Sequence, residues 1–240
     1  MESVRTLAGM IDHSLLHPTL TDEQLEAGCA LAKRYATASV CIKPYAVPRA
    51  AEWLEGSVVR VGTVIGFPHG NASLDIKVNE TERACRDGAV EVDMVVNIGR
   101  VLGEDWAYAD REIRAVLAAC RDRRAVLKVI FENDYLKEDR FKIRLCEICR
   151  EAGADYVKTS TGYAFVKDTD GRWVSRGAAD GDLKLMLRHA GPAMKVKAAG
   201  GIRTLDDLLR VRALGVSRVG ASATESILKE ARERFGTDPP

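Results

Sequence analysis

The sequence predicts a (β/α)8 barrel, and three observations favour this fold class. Eight short, mostly apolar segments alternate with eight helical patterns along the chain. The length of 240 residues is typical of a single barrel domain. The predicted strands are nearly continuous apolar runs, as expected for parallel strands buried on both faces. A doubly wound open sheet is the alternative, but no GxGxxG motif follows the first strand.

The strands are predicted from short β-branched runs and the helices from longer stretches of helical periodicity. In chain order, the predicted strands are Met10–Ser14, Ala38–Ile42, Val58–Ile65, Val90–Asn97, Ala125–Phe131, Asp155–Thr159, Met194–Ala198 and Ser217–Gly220. The predicted helices are Asp22–Tyr35, Ala46–Glu55, Leu74–Asp87, Glu104–Arg123, Glu138–Ala152, Gly181–His189, Leu205–Ala213 and Thr224–Phe235.

Local signals support several of these boundaries. Thr21 and Gln24 have the spacing of a capping box at the start of the first helix. Gly88, Gly153 and Gly215 each stand between a helix and the next strand, where glycine ends helices in a left-handed conformation. Because no linker or shift in composition divides the chain, we expect residues 1–240 to form one barrel domain.

The charge and cysteine content exclude several classes of protein. Lys and Arg number 36 and Asp and Glu number 35, so the net charge of +1 provides no general field for nucleic acid or an acidic membrane. No apolar run approaches the length that crosses a bilayer. Six cysteines are too few for a disulfide scaffold, and the CxxC at Cys146 and Cys149 falls within a helical pattern. We expect ordinary thiols and a cytoplasmic protein with neither nucleic-acid nor membrane partners.

Charged residues on apolar strands are the strongest functional signal, because a buried charge is costly unless it is paired or used. Such residues converge at the C-terminal halves of the predicted strands, where barrel active sites are built. They are Asp12, Asp93, Lys128, Lys158 and Lys197.

Two lysines and an aspartate in one apolar pocket suggest amine chemistry. A second ammonium about 4 Å away, at an effective dielectric of about 20, opposes protonation by about 4 kcal/mol, or about three pKa units. A lysine made neutral in this way can attack a carbonyl and form a Schiff base. The aspartate can then move protons, directly or through water.

Glycine-rich segments after the last three strands add a candidate anion site. They are Ser160–Gly162, Ala199–Gly201 and Gly220–Ser222. Barrels bind phosphate at such strand ends through backbone N–H groups and helix N-termini. Together with the lysines, these segments predict a phosphorylated carbonyl substrate.

Specific motifs then resemble those of class I deoxyribose-phosphate aldolases over nearly the whole chain. The matching segments are Ile11–Leu16, Val40–Ile42, Gly66–Gly70, Glu91–Gly99, Val157–Gly162 and Lys197–Arg203. The resemblance implies reversible, metal-independent cleavage of 2-deoxy-D-ribose 5-phosphate into D-glyceraldehyde 3-phosphate and acetaldehyde, with no cofactor.

The resemblance also implies roles for particular residues. Lys158 would form the Schiff base, Lys197 would lower its pKa, and Asp93 would shuttle protons. The substrate would contact Asp12, Ser14, Leu16, Cys41 and Thr161. The phosphate would be held by Gly162, Gly200, Gly201, Gly220 and Ser222. The residues by themselves indicate only a lysine pair, an acid and an anion site.

Two departures from the family pattern keep other functions open. Ala223 stands where the family often has a second serine, and the loop after Gly162 is long. We expect Phe165–Val174 to form a β-hairpin with its turn at Asp170–Gly171, covering the pocket or meeting a neighbouring subunit, for example in a homodimer. One alternative function is a related lysine-dependent aldolase for another aldehyde or sugar phosphate. Another is a non-catalytic sugar-phosphate-binding barrel.

Overall fold

Eight parallel strands close into a barrel in which the last strand pairs with the first. The structure, a computed structural model, describes residues 3–236. The barrel strands are β1 (Ile11–Leu15), β2 (Ser39–Ile42), β3 (Arg60–Ile65), β4 (Glu91–Val95), β5 (Val126–Ile130), β6 (Tyr156–Lys158), β9 (Lys195–Ala199) and β10 (Arg218–Ala221). Between β6 and β9, the strands β7 (Val166–Lys167) and β8 (Trp173–Val174) form a separate antiparallel hairpin. The predicted fold class is confirmed.

Helices surround the barrel and lie between its strands. They are α1 (Val4–Ala8), α2 (Asp22–Tyr35), α3 (Val47–Trp53), α4 (Leu74–Arg86), α5 (Ile98–Leu102), α6 (Trp106–Asp122), α7 (Asp139–Ala152), α8 (Asp180–Ala190), α9 (Leu205–Ala213) and α10 (Thr224–Phe235). The predicted bounds of α2, α9 and α10 are confirmed to the residue. The sequence analysis missed α1 and α5, which are five residues each and too short to show helical periodicity.

Predicted local signals are present at the helix ends. The Thr21 hydroxyl accepts a hydrogen bond from the Gln24 N–H, and the Gln24 side chain accepts one from the Thr21 N–H. Gly153 ends α7 in the left-handed conformation, with φ of 86°. Each barrel strand differs from its predicted bounds by one or two residues at one or both ends. For example, β3 begins at Arg60 rather than at Val58, which is 76% exposed.

Side chains alternate between the two faces of each strand, so one set packs against the helices and the other points into the barrel. On β4, Val92 and Met94 belong to the hydrophobic core shared with the helices, whereas Glu91 and Asp93 carry charge at the alternate positions. All four are fully buried. β4 is therefore buried on both faces, with apolar side chains towards the helices and charged side chains inside the barrel.

The remaining expectations about the fold concern thiols and membranes. All six cysteines are free, and burial raises the pKa of Cys146 to about 12 and that of Cys149 well above its usual value. Both thiols of the CxxC segment are thus protonated. Within residues 3–236, no helix has both the length and the apolar composition that crossing a membrane requires.

Candidate active site

A cavity of about 570 Å³ opens at the C-terminal ends of the barrel strands. This is the end at which barrel enzymes carry out their chemistry. Most of the site residues implied by the resemblance line it: Ser14, Leu16, Cys41, Lys158, Thr161, Gly162, Lys197, Gly200, Gly201, Gly220 and Ser222. Asp12 and Asp93 do not line the cavity; they are fully buried and contact the lysines beside it.

The two cavity lysines share one carboxylate oxygen. Lys158 and Lys197 are directly opposite each other in the register of β6 and β9. The Nζ atom of each lies 2.7 Å from Oδ2 of Asp93. Because one carboxylate oxygen contacts both amines, Asp93 holds the two lysines together at the floor of the cavity.

The pKa values of the two lysines nevertheless shift in opposite directions. Burial is the largest cause of the lowered pKa of Lys158, with Lys197 contributing and Asp93 opposing the shift. Burial also acts to lower the pKa of Lys197, but Asp12 and Asp93 together raise it above its ordinary value. Lys158 is therefore the lysine that can be neutral, and Lys197 remains the cation.

Asp93 is ionised despite its complete burial. Burial alone would raise its pKa, but Lys128, Lys158 and Lys197 hold the pKa well below its usual value. Asp12 behaves in the same way: burial is outweighed by Lys128, Lys197 and Arg218, and its pKa is lowered. Its Oδ2 lies 2.5 Å from the Lys197 Nζ, and the Ser39 hydroxyl donates to its Oδ1 at 2.7 Å.

A deeper layer of charge, which the sequence analysis left without a role, lies beneath these residues. Lys128 Nζ is 2.9 Å from Asp93 Oδ1 and 2.6 Å from Glu91 Oε2. Arg218 contacts Glu91 Oε2 at 3.1 Å and Asp12 Oδ1 at 2.5 Å. A signal for Glu91 and Arg218 was available: each stands two residues before a predicted site residue on the same strand and so shares its face.

Glycines and a helix terminus form the opposite rim of the cavity. Gly162, Gly200 and Gly201 have positive φ values of 87°, 88° and 81°. At Gly200 a Cβ would lie 2.8 Å from the Gly177 Cα, so only glycine fits there. Ser222 is exposed at the rim, and α10 begins two residues later without a capping side chain. Backbone N–H groups at such a rim suit an anion.

Several other cavity residues were missed because nothing in the sequence marks them individually. They are His13, Leu15, His17, Leu20, Tyr163, Ser175, Ile202 and Arg203. Phe165, which begins the hairpin expected to cover the pocket, also lines the cavity. Arg203 adds a cation to the glycine rim. Within residues 3–236, no group of three or more His, Cys, Asp or Glu side chains is arranged to hold a metal ion.

Fold and site together define a class, the (β/α)8-barrel enzymes whose chemistry depends on a buried lysine. The sequence profile described as DeoC/LacD family aldolase matches residues 6–223. This chain belongs to that family.

Curated relatives and solved structures agree with the family assignment. The chain is 51% identical to the deoxyribose-phosphate aldolase of Rhodopirellula baltica, over 95% of this chain and 90% of that protein. It is 45% identical to the deoxyribose-phosphate aldolase of Clostridium perfringens, over 92% and 93% of the two chains. A crystal structure of a Coccidioides immitis protein described as a putative deoxyribose-phosphate aldolase superposes with a TM-score of 0.87 at 39% identity, covering 96% and 87% of the chains. The tetrameric deoxyribose phosphate aldolase of Aeropyrum pernix gives 0.85 at 29% identity, covering 97% and 94%.

Proposed function

We propose that this protein reversibly cleaves 2-deoxy-D-ribose 5-phosphate into D-glyceraldehyde 3-phosphate and acetaldehyde through a Schiff base on Lys158. The observation that carries the proposal is the buried Lys158 amine, with its lowered pKa, on the floor of a cavity that has an anion-binding rim. The names of the relatives at 45–51% identity support the same substrate.

Lys158 supplies the covalent step. Its neutral amine adds to the C1 aldehyde of the open-chain sugar, and proton-assisted loss of water gives an iminium ion. When the C3 hydroxyl loses its proton, the C2–C3 bond breaks and glyceraldehyde 3-phosphate leaves. The two remaining carbons stay on Lys158 as an enamine. Protonation at C2 and hydrolysis then release acetaldehyde and restore the amine.

Asp93 and Lys197 handle the protons. The proton lost by the C3 hydroxyl equals the proton needed at C2, so one group can carry it between the two atoms. We assign this transfer to Asp93 acting through a bridging water, because its carboxylate lies beneath the cavity rather than in it. Lys197 keeps a positive charge beside Lys158, and Asp12 holds Lys197 in place through their 2.5 Å contact.

Substrate recognition is assigned to the cavity walls. Ser14, Leu16, Cys41 and Thr161 contact the sugar, while Asp12 acts on it indirectly through Lys197. The phosphate is assigned to Gly162, Gly200, Gly201, Gly220 and Ser222. Because a lysine provides the electron sink, the proposed reaction requires no metal ion.

Reductive trapping tests the central step. Borohydride with acetaldehyde should fix a two-carbon adduct on Lys158, located by peptide mass spectrometry. Lys158→Ala should abolish both the adduct and cleavage of the sugar phosphate. Lys195→Ala removes an exposed lysine from the same barrel and should leave both unchanged. An undiminished adduct on another lysine in the Lys158 variant would disprove the assignment.

A second assay tests the substrate and the metal-independent mechanism. Cleavage of 2-deoxyribose without phosphate should show a much higher KM, because the glycine rim loses its ligand. Equal efficiency on both sugars would instead favour a related lysine-dependent aldolase with another natural substrate.

Dialysis against a chelator tests whether the reaction needs a metal ion. It should leave the rate of cleavage of the phosphorylated sugar unchanged.

A further inference from the structure

The buried charges inside the barrel form one continuous network across six strands. Arg218 links Asp12 to Glu91, Lys128 links Glu91 to Asp93, and Lys197 links Asp93 back to Asp12. Lys158 joins this ring through Asp93 alone. Every side chain in the ring is at most 7% exposed.

The buried charges of this network balance without a proton on Lys158. Within residues 3–236 its buried members are three carboxylates and four basic groups. With Lys128, Lys197 and Arg218 charged, the three carboxylates are already balanced. A proton on Lys158 would give the buried network a net positive charge, and an uncompensated buried charge is costly. Arg60 also reaches Glu91, at 3.2 Å, but its side chain is 58% exposed, so water screens its charge.

We infer that Glu91, Lys128 and Arg218 are positioning residues that hold Lys158 uncharged, because the buried network is neutral only when Lys158 carries no proton. The inference goes beyond the proposed function and gives a role to the layer below the cavity. It concerns only the charge state of the Lys158 amine, so it can be tested without any turnover.

Three other titratable groups lie near Lys158 but outside this network. The pKa of Cys41 is raised to about 11, chiefly by burial, so its thiol is neutral. The Glu132 carboxylate accepts hydrogen bonds from Thr161, outside the network, and burial is the main cause that raises its pKa to about 7. Tyr156 faces Arg218, with 5.7 Å between the guanidinium carbon and the ring centroid. These three side chains remain in every variant below, so all the profiles are compared with the same neighbours in place.

Cyanate labelling measures the charge state directly, because only a neutral amine adds to isocyanic acid. The rate of carbamylation at Lys158 would be followed against pH by peptide mass spectrometry, in the absence of substrate. The midpoint of this profile is the pH at which half of the Lys158 amine is neutral. Lys128→Met removes a cation and should move the midpoint up by about one pH unit or more. At pH values below the midpoint, the neutral fraction should then fall about tenfold. Glu91→Gln removes an anion and should move the midpoint down.

The double variant Lys128→Met/Glu91→Gln restores neutrality and should return the midpoint towards that of the wild type. A purely structural role would destabilise all three variants without shifting the midpoint in opposite directions and back. Midpoints that stay fixed, or that move the same way in both single variants, would overturn the inference. If Lys128→Met fails to fold, Glu91→Gln alone and Arg218→Met with Glu91→Gln provide the same comparison.

The proposed aldolase activity is judged separately from this inference. Borohydride trapping with acetaldehyde on the wild-type protein tests whether Lys158 forms a Schiff base at all. Absence of the adduct would reject the proposed function, while the cyanate midpoints would still decide whether network neutrality controls Lys158.

Discussion

A single carboxylate contact distinguishes Lys158 from Lys197. Both lysines bond the same oxygen of Asp93, and both are buried. Lys197 also lies 2.5 Å from Asp12, whereas within residues 3–236 Lys158 forms an ion pair with Asp93 alone. The extra anion offsets the burial of Lys197, which is why Lys158 rather than Lys197 is the proposed nucleophile.

Lys197→Leu should raise the pKa of Lys158 towards the ordinary lysine value of about 10.4, because a neighbouring positive charge is lost. The fraction of neutral amine at a given pH falls, so the rising acid-side limb of the activity profile should move to higher pH. The pH dependence of kcat/KM measures this shift.

Lys195→Leu is the matched control for this prediction, since it removes an exposed lysine from the same strand. Its profile should match that of the wild type. If the Lys197 variant also keeps the wild-type limb, then Lys197 is not the charge that lowers the pKa of Lys158.

Glu132 is a second residue whose charge bears on the cavity. Its carboxylate accepts hydrogen bonds from the Thr161 N–H at 3.2 Å and from the Thr161 hydroxyl. Thr161 stands between Lys158 and Gly162 in the cavity wall. Burial chiefly raises the pKa of Glu132 to about 7, above its model-peptide value of 4.5. Its ionisation therefore changes within the neutral range.

Glu132→Gln should raise KM for the sugar phosphate at about pH 8, because an amide holds Thr161 less firmly than a carboxylate does. Wild-type KM should rise as pH falls through about 7 and approach that of the variant below about pH 6, where Glu132 is protonated. The substrate's own phosphate titration affects both proteins equally. A constant ratio of the two KM values over this range would contradict the prediction.

At the scale of elements, the loop after β6 forms the predicted hairpin. Val166 pairs with Val174 and Lys167 with Trp173. The turn runs through Asp168, whose side chain accepts from the N–H groups of Asp170 and Arg172, and Gly171 adopts a φ of 77°. The predicted turn residues Asp170 and Gly171 are therefore within the turn.

The base of this hairpin is anchored beside the cavity. The buried Asp134 carboxylate accepts hydrogen bonds from the N–H groups of Arg176 and Gly177 at 3.1 and 3.2 Å. Phe165 and Ser175, which flank the hairpin, line the cavity. Because an isolated two-stranded hairpin is marginal in water, these anchors account for its order.

Deleting Val166–Trp173 and bridging the ends with Gly-Ser should raise KM several-fold and leave the mass in solution unchanged, because Phe165 loses its support at the cavity wall. Steady-state kinetics with several aldehydes and light scattering measure the two effects. A changed mass would show that the hairpin is a subunit contact instead, for example in a homodimer. Wild-type kinetics, stability and mass together would show that it serves neither purpose.

At the scale of the molecule, the two ends of the chain close the barrel. β1 pairs with β10, aligning Asp12 with Gly220, and α1 packs against α10. We propose that the chain is one domain, because the barrel cannot close without both its first and its last strand. His13 on β1 reinforces this closure through a 2.8 Å hydrogen bond to Thr224 of α10.

Acid should weaken the closure of the barrel through His13. Burial is the main cause that lowers its pKa to about 4, against 6.5 in the unfolded chain. The unfolded state therefore binds a proton first, so this contribution to stability is present above pH 6.5 and is lost as pH falls towards 4. A shift of this size corresponds to a loss on the order of 3 kcal/mol.

Urea unfolding at several pH values between these limits measures the effect. The free energy of unfolding of His13→Asn should fall less steeply with acid than that of the wild type. His17→Asn is the control, since His17 is exposed and forms a local hydrogen bond to Thr19. Equal slopes for the wild type and the His13 variant would contradict the assignment.

The barrel, eight of its helices to within two residues at each end, and the lysine, aspartate and glycine positions around the cavity could be predicted from the sequence alone. These features are local or periodic: strand length, helical spacing and a charge standing within an apolar run can all be seen within about ten residues. The family motifs extended them to a substrate. The cytoplasmic location stays a prediction.

Only the tertiary structure decided which charges meet and what each contact does to them. Glu91 and Arg218 are 127 residues apart in sequence but bond inside the barrel, and Glu132 reaches Thr161 from the neighbouring strand end. It also placed Asp12 and Asp93 beneath the cavity instead of in its wall. The reason is physical: burial and charge–charge energies depend on distances between strands, which barrel closure sets and sequence spacing does not.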